Sequence, residues 1–262
     1  MKRLVVFALL LSFVGCGIVP FTGRKQFIAI PDSQIQSLSA ESYAQVLKES
    51  KLSNNRTYVN SVRTVGERLT AAVERYMKEN NMEAQLEGYQ WQYNVIESKE
   101  LNAWCMPGGQ IVFYEGILPV CADDNGIAVV MGHEIAHAIA RHGNERMSQQ
   151  LAVQMGGAAL SEALSTQKET TQQLALLAFG VGSQLGVALP FSRTHESEAD
   201  ELGLYFMAMA GFDPRKAPAF WERMQALGSS GMPEFLSTHP DPANRIKKLN
   251  KLIPKAMKYY NK

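Results

Sequence analysis

The amino-acid sequence predicts an α+β fold that is mostly helical and contains one small β-sheet. Apolar residues recur at the three- and four-residue spacing of a helix before residue 80 and again beyond Asp123. Between these stretches Trp91, Tyr93 and Val95 alternate with polar residues, as they do in a half-buried strand. Helices that pack on a small sheet of this kind form an α+β domain.

The composition is that of an ordinary globular protein. Of the 262 residues, 46% are hydrophobic and 19% are charged, which excludes disorder of the whole chain. The 26 Lys and Arg residues nearly balance the 25 Asp and Glu residues, so we expect no nucleic-acid partner. Three cysteines are too few for a disulfide scaffold, and the sequence leaves open whether Cys105 and Cys121 form a disulfide or are free thiols.

The N-terminus predicts export and a lipid anchor. Lys2 and Arg3 precede the apolar run Leu4–Val14, which is too short to cross a bilayer as a helix, so we expect residues 1–15 to be a signal peptide. The Gly-Cys pair that ends this run resembles a bacterial lipobox, in which Cys16 is lipidated after cleavage. The alternative is an ordinary secretory signal that is cut nearby, and both interpretations export the protein.

The rest of the chain is predicted to be a tether and one domain. Residues 16–31 hold Pro and Gly without helical spacing and are interpreted as a lipidated N-terminus and tether, and residues 32–262 as a single domain. Asp32 is expected to cap the first helix, and Val59–Met77 to form the second. Asn102 and Ala103 begin a strand before the turn at residues 107–109, and an exposed edge there would bind an extended peptide by strand addition. The alternative is an ordinary edge strand.

The strongest functional signal is the H-E-x-x-H motif that begins at His133. This helix is expected to begin after an N-terminal cap at Asp123 and to end at Gly143. Because His133 and His137 are four residues apart on one helix, both imidazoles can meet one metal ion. Neutral imidazoles favour zinc, and Glu134 is placed to act as general base toward a water molecule in the site.

A third ligand is needed, and Glu196 is the better candidate. A metzincin would have Gly at position 140 and His at position 143, but Ala140 and Gly143 stand there. Glu196 and Asp200 lie four apart on one predicted helix face, so Glu196 can bind zinc while Asp200 accepts a hydrogen bond from a ligating His. The alternative for these acidic residues is a plain charged helix face.

These motifs resemble the HtpX/BepA-like zinc metallopeptidases, the gluzincins related to the CAAX prenyl proteases. The matching features are Thr22-Gly23-Arg24-Lys25-Gln26, Asn102-Ala103, Pro107-Gly108-Gly109, the H-E-x-x-H motif, Glu196 with Ala199-Asp200, and Thr238-His239-Pro240 with Arg245. The resemblance implies a zincin-type fold, one Zn²⁺ held by His133, His137 and Glu196, and Glu134 as general base. For exported lipoprotein members it also implies a role in envelope protein quality control. We expect a member without intramembrane helices or C-terminal helical repeats.

The other histidines are assigned from their positions. His239 precedes Pro240 in a loop, where it is expected either to donate, together with Arg245, to a developing oxyanion or to fill the open metal position in the resting enzyme. A surface-loop histidine is the plain alternative. His142 and His195 lie off the ligand faces of their helices and are expected to be structural or to support the ligands, and not to bind the metal themselves.

The sequence therefore predicts a zinc endopeptidase that cuts misfolded or misassembled proteins of the bacterial cell envelope. Its expected partners are polypeptide substrates, a membrane reached through the N-terminal lipid, and the envelope assembly machinery. It is expected to face the periplasm, with the outer membrane favoured over the inner because Gly17 after Cys16 is not acidic. The alternatives are a chaperone-like binding protein with a latent zinc site and a structural zinc protein, and the presence of Glu134 with only three ligands disfavours the latter. Leu174–Phe191 approaches membrane-spanning length, but polar residues and glycines interrupt it, and we expect a helical hairpin with Leu151–Leu164.

Overall fold

A computed structural model describes residues 15–184, 188–227, 234–239 and 242–260. The predicted signal peptide therefore lies outside the described residues, apart from Gly15. The strands are β1 (Gly15–Ile18), β2 (Lys25–Ile28), β3 (Gln92–Ile96), β4 (Ala103–Met106) and β5 (Gln110–Tyr114). The helices are α1 (Asp32–Glu49), α2 (Arg56–Glu79), α3 (Leu118–Cys121), α4 (Asp124–Ile139), α5 (His142–Ala163), α6 (Glu169–Ser183), α7 (Leu189–Met209), α8 (Ala217–Leu227), α9 (Glu234–Thr238) and α10 (Pro242–Ala256). This content confirms the predicted α+β fold with few, short strands.

The described residues form two compact units. The first takes its residues from Met1–Asp32 and Arg141–His195, and the second from Ser33–Ala140 and Glu196–Lys262. The boundary between His195 and Glu196 falls inside α7. The single domain over residues 32–262 stays a prediction.

The first unit contains a β-hairpin where the sequence predicts a tether. Strands β1 and β2 pair antiparallel, with Cys16 opposite Phe27. The two residues after β2 are hydrogen-bonded to α5. The Ala29 amide donates to Ser148 Oγ at 2.9 Å, and Asn144 donates to the Ile30 carbonyl at 2.9 Å. The tether interpretation rested on Pro and Gly content, and two strands of four residues are too short to give a clear alternating signal.

Helices α5 and α6 in the same unit pack against each other, but the second helix of the predicted hairpin, Leu174–Phe191, is misplaced, because α6 is Glu169–Ser183 and residues 189–191 begin α7. Phe179 of α6 lies against Gly156 and Gly157 of α5, where a side chain on Gly156 would meet the ring at 3.0 Å. In the described part of the chain no helix is both long and apolar enough to cross a membrane.

The second unit is built around a three-stranded sheet in the order β3-β5-β4. Strand β3 pairs parallel with β5, and β4 pairs antiparallel with β5, so that β4 lies at an edge. Helix α2 begins at the cap Asn55, whose side chain accepts from the Thr57 and Tyr58 amides, and it packs on β3 and α4. Helix α4 packs against β4, so the small sheet lies beside the H-E-x-x-H helix, as predicted.

Helix α4 is almost entirely buried, which explains why its sequence is apolar on all sides apart from the motif. It begins at the predicted cap, where Asp123 accepts from the Gly126 amide at 2.9 Å. Its predicted end at Gly143 is wrong, because the helix ends at Ile139 and Gly143 belongs to α5. The chain turns instead at Arg141, which adopts a left-handed φ of 58°.

Candidate metal centre and active site

Two glycines bring the motif helix close to the helix that carries the predicted third ligand. A Cβ on Gly203 of α7 would lie 2.9 Å from the backbone nitrogen of His133, and a Cβ on Gly132 would lie 3.0 Å from the Gly203 carbonyl oxygen. Because only glycine fits at these positions, α4 and α7 approach each other closely. This close approach brings Glu196 and Asp200 to the histidines of α4.

Four side chains converge so that one ligand atom from each lies within 4.8 Å of all the others. They are His133, His137, Glu196 and His239. His133 Nε2 lies 3.1 Å from His137 Nε2, 3.1 Å from His239 Nδ1 and 3.4 Å from Glu196 Oε2. Ligands at about 2.1 Å from a tetrahedral zinc ion are about 3.4 Å apart, so the arrangement fits one such ion.

The charges of the cluster also fit a divalent cation. Glu134, Glu196 and Asp200 supply three carboxylates, and Arg245 supplies one guanidinium. With neutral imidazoles and an ionised Glu134, the net charge is −2. A Zn²⁺ ion would take the lone pair of each ligating imidazole and would offset this negative charge.

Asp200 and Arg245 lie behind the ligands. Asp200 Oδ1 is 3.3 Å from His133 Nδ1, which suits the predicted acceptor for a ligating histidine. Arg245 donates to both oxygens of Asp200, at 2.5 and 3.0 Å, and to Glu196 Oε2 at 3.2 Å. Its guanidinium stacks at 3.6 Å from the centre of the Trp221 ring. Arg245 is buried, and its donors already bind Asp200 and Glu196. It is therefore better placed to position these two carboxylates than to contact an oxyanion, which was the predicted role.

The pKa values of the ligands reflect this network. Burial raises the pKa of Glu196, but hydrogen bonds from His133 and His137 outweigh it, so the pKa is lowered. Burial likewise raises the pKa of Asp200, but the charge of Arg245 and the hydrogen bonds from His133 and Arg245 together outweigh it, so this pKa is lowered too. Both carboxylates therefore stay ionised at neutral pH and are ready to bind or support a cation.

Glu134 has the opposite electrostatics. It is buried, and this burial raises its pKa, although the nearby His239 and His133 lower it in part. Its Oε1 atom is buried without a hydrogen-bond partner among the described residues and lies 3.5 Å from His239 Nε2. A buried carboxylate with a raised pKa and an oxygen free to accept a proton, next to a metal cluster, suits a general base.

His239 occupies the fourth position of the cluster. Its Nδ1 lies 2.9 Å from Glu196 Oε2, and its ring packs on Phe235 of α9 with centroids 4.7 Å apart. The Phe235 amide in turn donates to the Leu101 carbonyl at 3.1 Å. The short segment that carries His239 is therefore joined to the chain just before β4. His239 is thus placed where it can reach the same ion as the other three side chains, and both roles predicted for it stay predictions.

Asn102 and Ala103 lie where β4 begins. The Tyr114 amide donates to the Asn102 carbonyl at 3.1 Å, so the peptide groups of Asn102 face β5 and those of Ala103 face away from it. The outward amide of Ala103 donates to Asn102 Oδ1 at 2.9 Å. A peptide that adds to this edge would therefore compete with the Asn102 side chain for the amide of Ala103.

The remaining predicted residues lie elsewhere. Cys16 is in β1, and the structure does not describe its side chain. His142 and His195 stack at 4.2 Å and are buried, as expected of structural residues, and His195 Nε2 pairs with Glu145 Oε2 at 2.9 Å. Cys105 and Cys121 are free thiols.

Sequence reasoning missed Trp221, which contacts Arg245 and has its ring centre 6.3 Å from that of His133. Trp221 lies on the apolar face of α8, so its sequence pattern indicates only a core residue.

Comparison with known proteins gives a family. A family model described as Peptidase family M48 matches residues 66–253, which include the whole metal cluster. The mitochondrial metalloendopeptidase OMA1 of Schizosaccharomyces pombe is 32% identical over 240 residues, which are 91% of this chain and 66% of that protein. Human OMA1 is 31% identical over 258 residues, covering 94% of this chain and 47% of its own length.

A bacterial relative matches a shorter stretch. The beta-barrel assembly-enhancing protease of Escherichia coli is 32% identical over 157 residues, which are 58% of this chain and 32% of that protein. The chain thus spans between about a third and two thirds of the length of these relatives.

Proposed function

The chain belongs to peptidase family M48, and we propose that it is a zinc-dependent endopeptidase of the bacterial cell envelope that cleaves misfolded or misassembled proteins. The observation that carries this proposal is the set of donors that can meet one metal ion, with the buried Glu134 carboxylate beside it, whose Oε1 has no hydrogen-bond partner among the described residues. A structural zinc site has no use for such a carboxylate, whereas a hydrolase needs a base there.

In this proposal His133, His137 and Glu196 hold the metal, and Asp200 and Arg245 fix the ligands. A zinc ion held there would supply a Lewis acid that polarises the scissile carbonyl and makes a water molecule more acidic. Glu134 takes a proton from that water at its unpaired Oε1 and passes it to the departing amine. Asp200 Oδ1 would accept a hydrogen bond from His133 Nδ1 and so fix the orientation of that ring.

We assign peptide binding to the edge of β4. The outward peptide group of Ala103 offers a backbone donor and acceptor to an extended substrate, and backbone pairing of this kind does not depend on substrate sequence. Such pairing suits a protease that acts on unfolded segments, which expose their backbone.

His239 favours a second candidate, a latent binding protein. A side chain in the fourth ligand position keeps water and substrate from the metal, so the resting form would bind polypeptide without cutting it. We propose that substrate at β4 displaces His239, because the Phe235–Leu101 hydrogen bond links the two.

The variant His239→Ala distinguishes two candidates: a protease in which substrate displaces His239 from the metal site, and a binding protein in which His239 always covers that site. In such a protease, we expect this change to slow cleavage of a short peptide and to speed cleavage of a large unfolded protein, for which entry is limiting. No cleavage of either substrate by the wild type or by His239→Ala would favour the binding protein.

For location, we propose a lipid on Cys16 and a position facing the periplasm, with the outer membrane favoured. The Escherichia coli relative, whose name refers to β-barrel assembly, supports an envelope role and the assembly machinery as a partner. The OMA1 relatives are named as mitochondrial, so the predicted leader and Cys16 are what favour the bacterial envelope. A mass increase on the N-terminal peptide that is lost in Cys16→Ser would support the anchor, and an unmodified Cys16 would contradict it.

The activity is tested with the purified chain and an unfolded protein substrate. We expect cleavage that a zinc chelator abolishes and added zinc restores. Cleavage that survives complete removal of the metal would contradict the proposed function.

A further inference from the structure

Helix α10 carries a row of four lysines on its outer side. We call Lys247, Lys248, Lys251 and Lys255 the lysine row. All four are exposed, and at about 100° per residue they fall within an arc of about 100°. The face that buries Arg245, Leu249 and Ala256 is turned about 130° from the middle of this arc. The helix holds no acidic residue from end to end.

The charge of this row is largely uncompensated. Among the described residues the row makes one ion pair, in which Lys255 Nζ lies 3.6 Å from Glu201 Oε1. Two other described elements pack on α10. The 3₁₀ turn Pro214–Lys216 adds a further positive charge, the exposed Lys216, and helix α8 has a single acidic residue, Glu222. The surface of α10 is therefore locally positive, although the chain as a whole is nearly neutral, with 26 basic and 25 acidic residues.

We propose that the lysine row binds an anionic phospholipid surface. The row is about 12 Å long and stands on the exposed, convex surface of one helix, which suits a flat partner better than a peptide that needs a groove. All four residues are lysines, which act as point charges; a site for specific carboxylates would favour the forked geometry of arginine. Each lysine near an anionic bilayer strengthens binding about five-fold, so four act together as a docking surface.

The same helix joins this surface to the metal centre. Arg245 projects from the inner side of α10 to Asp200 and Glu196, while the lysine row faces out. The metal cluster thus lies about one helix diameter, about 10 Å, behind the docking surface. A docked enzyme would reach polypeptide segments at the bilayer surface, where a single lipid anchor alone leaves the orientation of the protein free.

Vesicle binding tests this proposal. The chain is exported behind a cleavable leader with Cys16→Ser, so that no acyl chain contributes, and its sedimentation with vesicles is measured at low and high salt. We expect binding to phosphatidylglycerol–phosphatidylcholine vesicles to exceed binding to pure phosphatidylcholine by about 100-fold at low salt, and the difference to vanish at high salt. Changing the four lysines of the row to Gln should remove most of this difference, whereas changing them to Arg should keep it.

A matched control uses four exposed lysines from other elements. Gln at Lys48, Lys78, Lys99 and Lys168 removes the same total charge, and we expect it to change vesicle binding by less than about three-fold. Equal losses in the two Gln variants would overturn the proposal, as would equal binding of the wild type to both kinds of vesicle. Binding to polyglutamate without binding to anionic vesicles would also overturn it, in favour of an acidic protein partner. None of the eight lysines belongs to the metal centre, so zinc content and cleavage of a soluble substrate should be unchanged throughout, and these outcomes leave the proposed protease function untouched.

Discussion

The contact between α4 and α7 allows a sharp test, because a single methyl group at Gly203 would push the two halves of the metal centre apart. The new Cβ of Gly203→Ala would lie 2.9 Å from the His133 nitrogen, 3.1 Å from the Gly132 carbonyl carbon and 3.2 Å from the His133 Cα. Comfortable contacts between such atoms are about 3.5 Å or longer, so the helices must separate by about 0.5 Å. Backbone atoms of a buried helix cannot turn aside as a flexible side chain would.

This separation has two expected costs. Overpacking of a core typically costs about 1 to 3 kcal/mol, which exceeds the gain of up to about 1 kcal/mol from replacing glycine in a helix. A shift of about 0.5 Å also exceeds the roughly 0.2 Å tolerance of zinc–ligand distances, because Glu196 moves with α7 and His133 with α4. We therefore expect zinc affinity to fall about 10- to 100-fold, as it does when ligand orientation is disturbed.

Gly180→Ala provides the matched control. Gly180 also lies inside a helix, α6, and a Cβ there meets no atom within 4 Å. Zinc affinity is measured by competition with a chromogenic chelator, and stability by thermal unfolding of the metal-free protein. We expect Gly180→Ala to keep wild-type zinc affinity and to unfold at the same or a higher temperature. Wild-type zinc affinity in Gly203→Ala would refute the argument that the glycine contact sets the ligand geometry.

Three further predictions concern single carboxylates. Glu134→Gln should keep zinc and lower the cleavage rate about 10²- to 10⁴-fold, and unchanged cleavage would exclude Glu134 as the base. The same change should raise the free energy of unfolding, because it removes a buried carboxylate whose pKa is raised. Glu196→Gln should lower zinc content measured by mass spectrometry, whereas Glu198→Gln, also buried on α7, should not. Burial raises the pKa of Glu145, but hydrogen bonds from His195 and Arg24 outweigh it and hold the pKa at about 2, below the ordinary 4.5. Glu145 therefore contributes about 3 kcal/mol that is present above pH 4.5 and is lost as the pH falls toward 2, and denaturant unfolding across this range should show a shallower pH dependence in Glu145→Gln.

The sequence predicts the catalytic helix well because its signals are local. The cap at Asp123 and the four-residue spacing of His133 and His137 depend only on helix geometry, and the structure has both. The end of the same helix was misplaced, because Gly143 is a common stop signal whereas a left-handed Arg141 is rare and has no sequence signature.

Features that depend on tertiary contacts were harder to predict. The hairpin of β1 and β2 is fastened by Asn144 and Ser148 of α5, more than 100 residues along the chain, and nothing within residues 16–31 indicates such partners. Trp221 and the close approach at Gly203 were missed for the same reason, since an aromatic residue or a glycine in a helix has several more common explanations.

Arg245 explains how the metal centre can exist before zinc arrives. Glu196 and Asp200 lie one turn apart on α7, both buried and both ionised, and two such carboxylates would repel each other in a medium of low dielectric constant. The guanidinium of Arg245 donates to both and is itself held against the face of Trp221, so one of the two negative charges is compensated without the metal. An arginine is always charged, so this compensation does not vary with pH. Arg245 therefore helps to hold the ligands near the geometry that zinc requires, and the remaining negative charge favours binding of the cation.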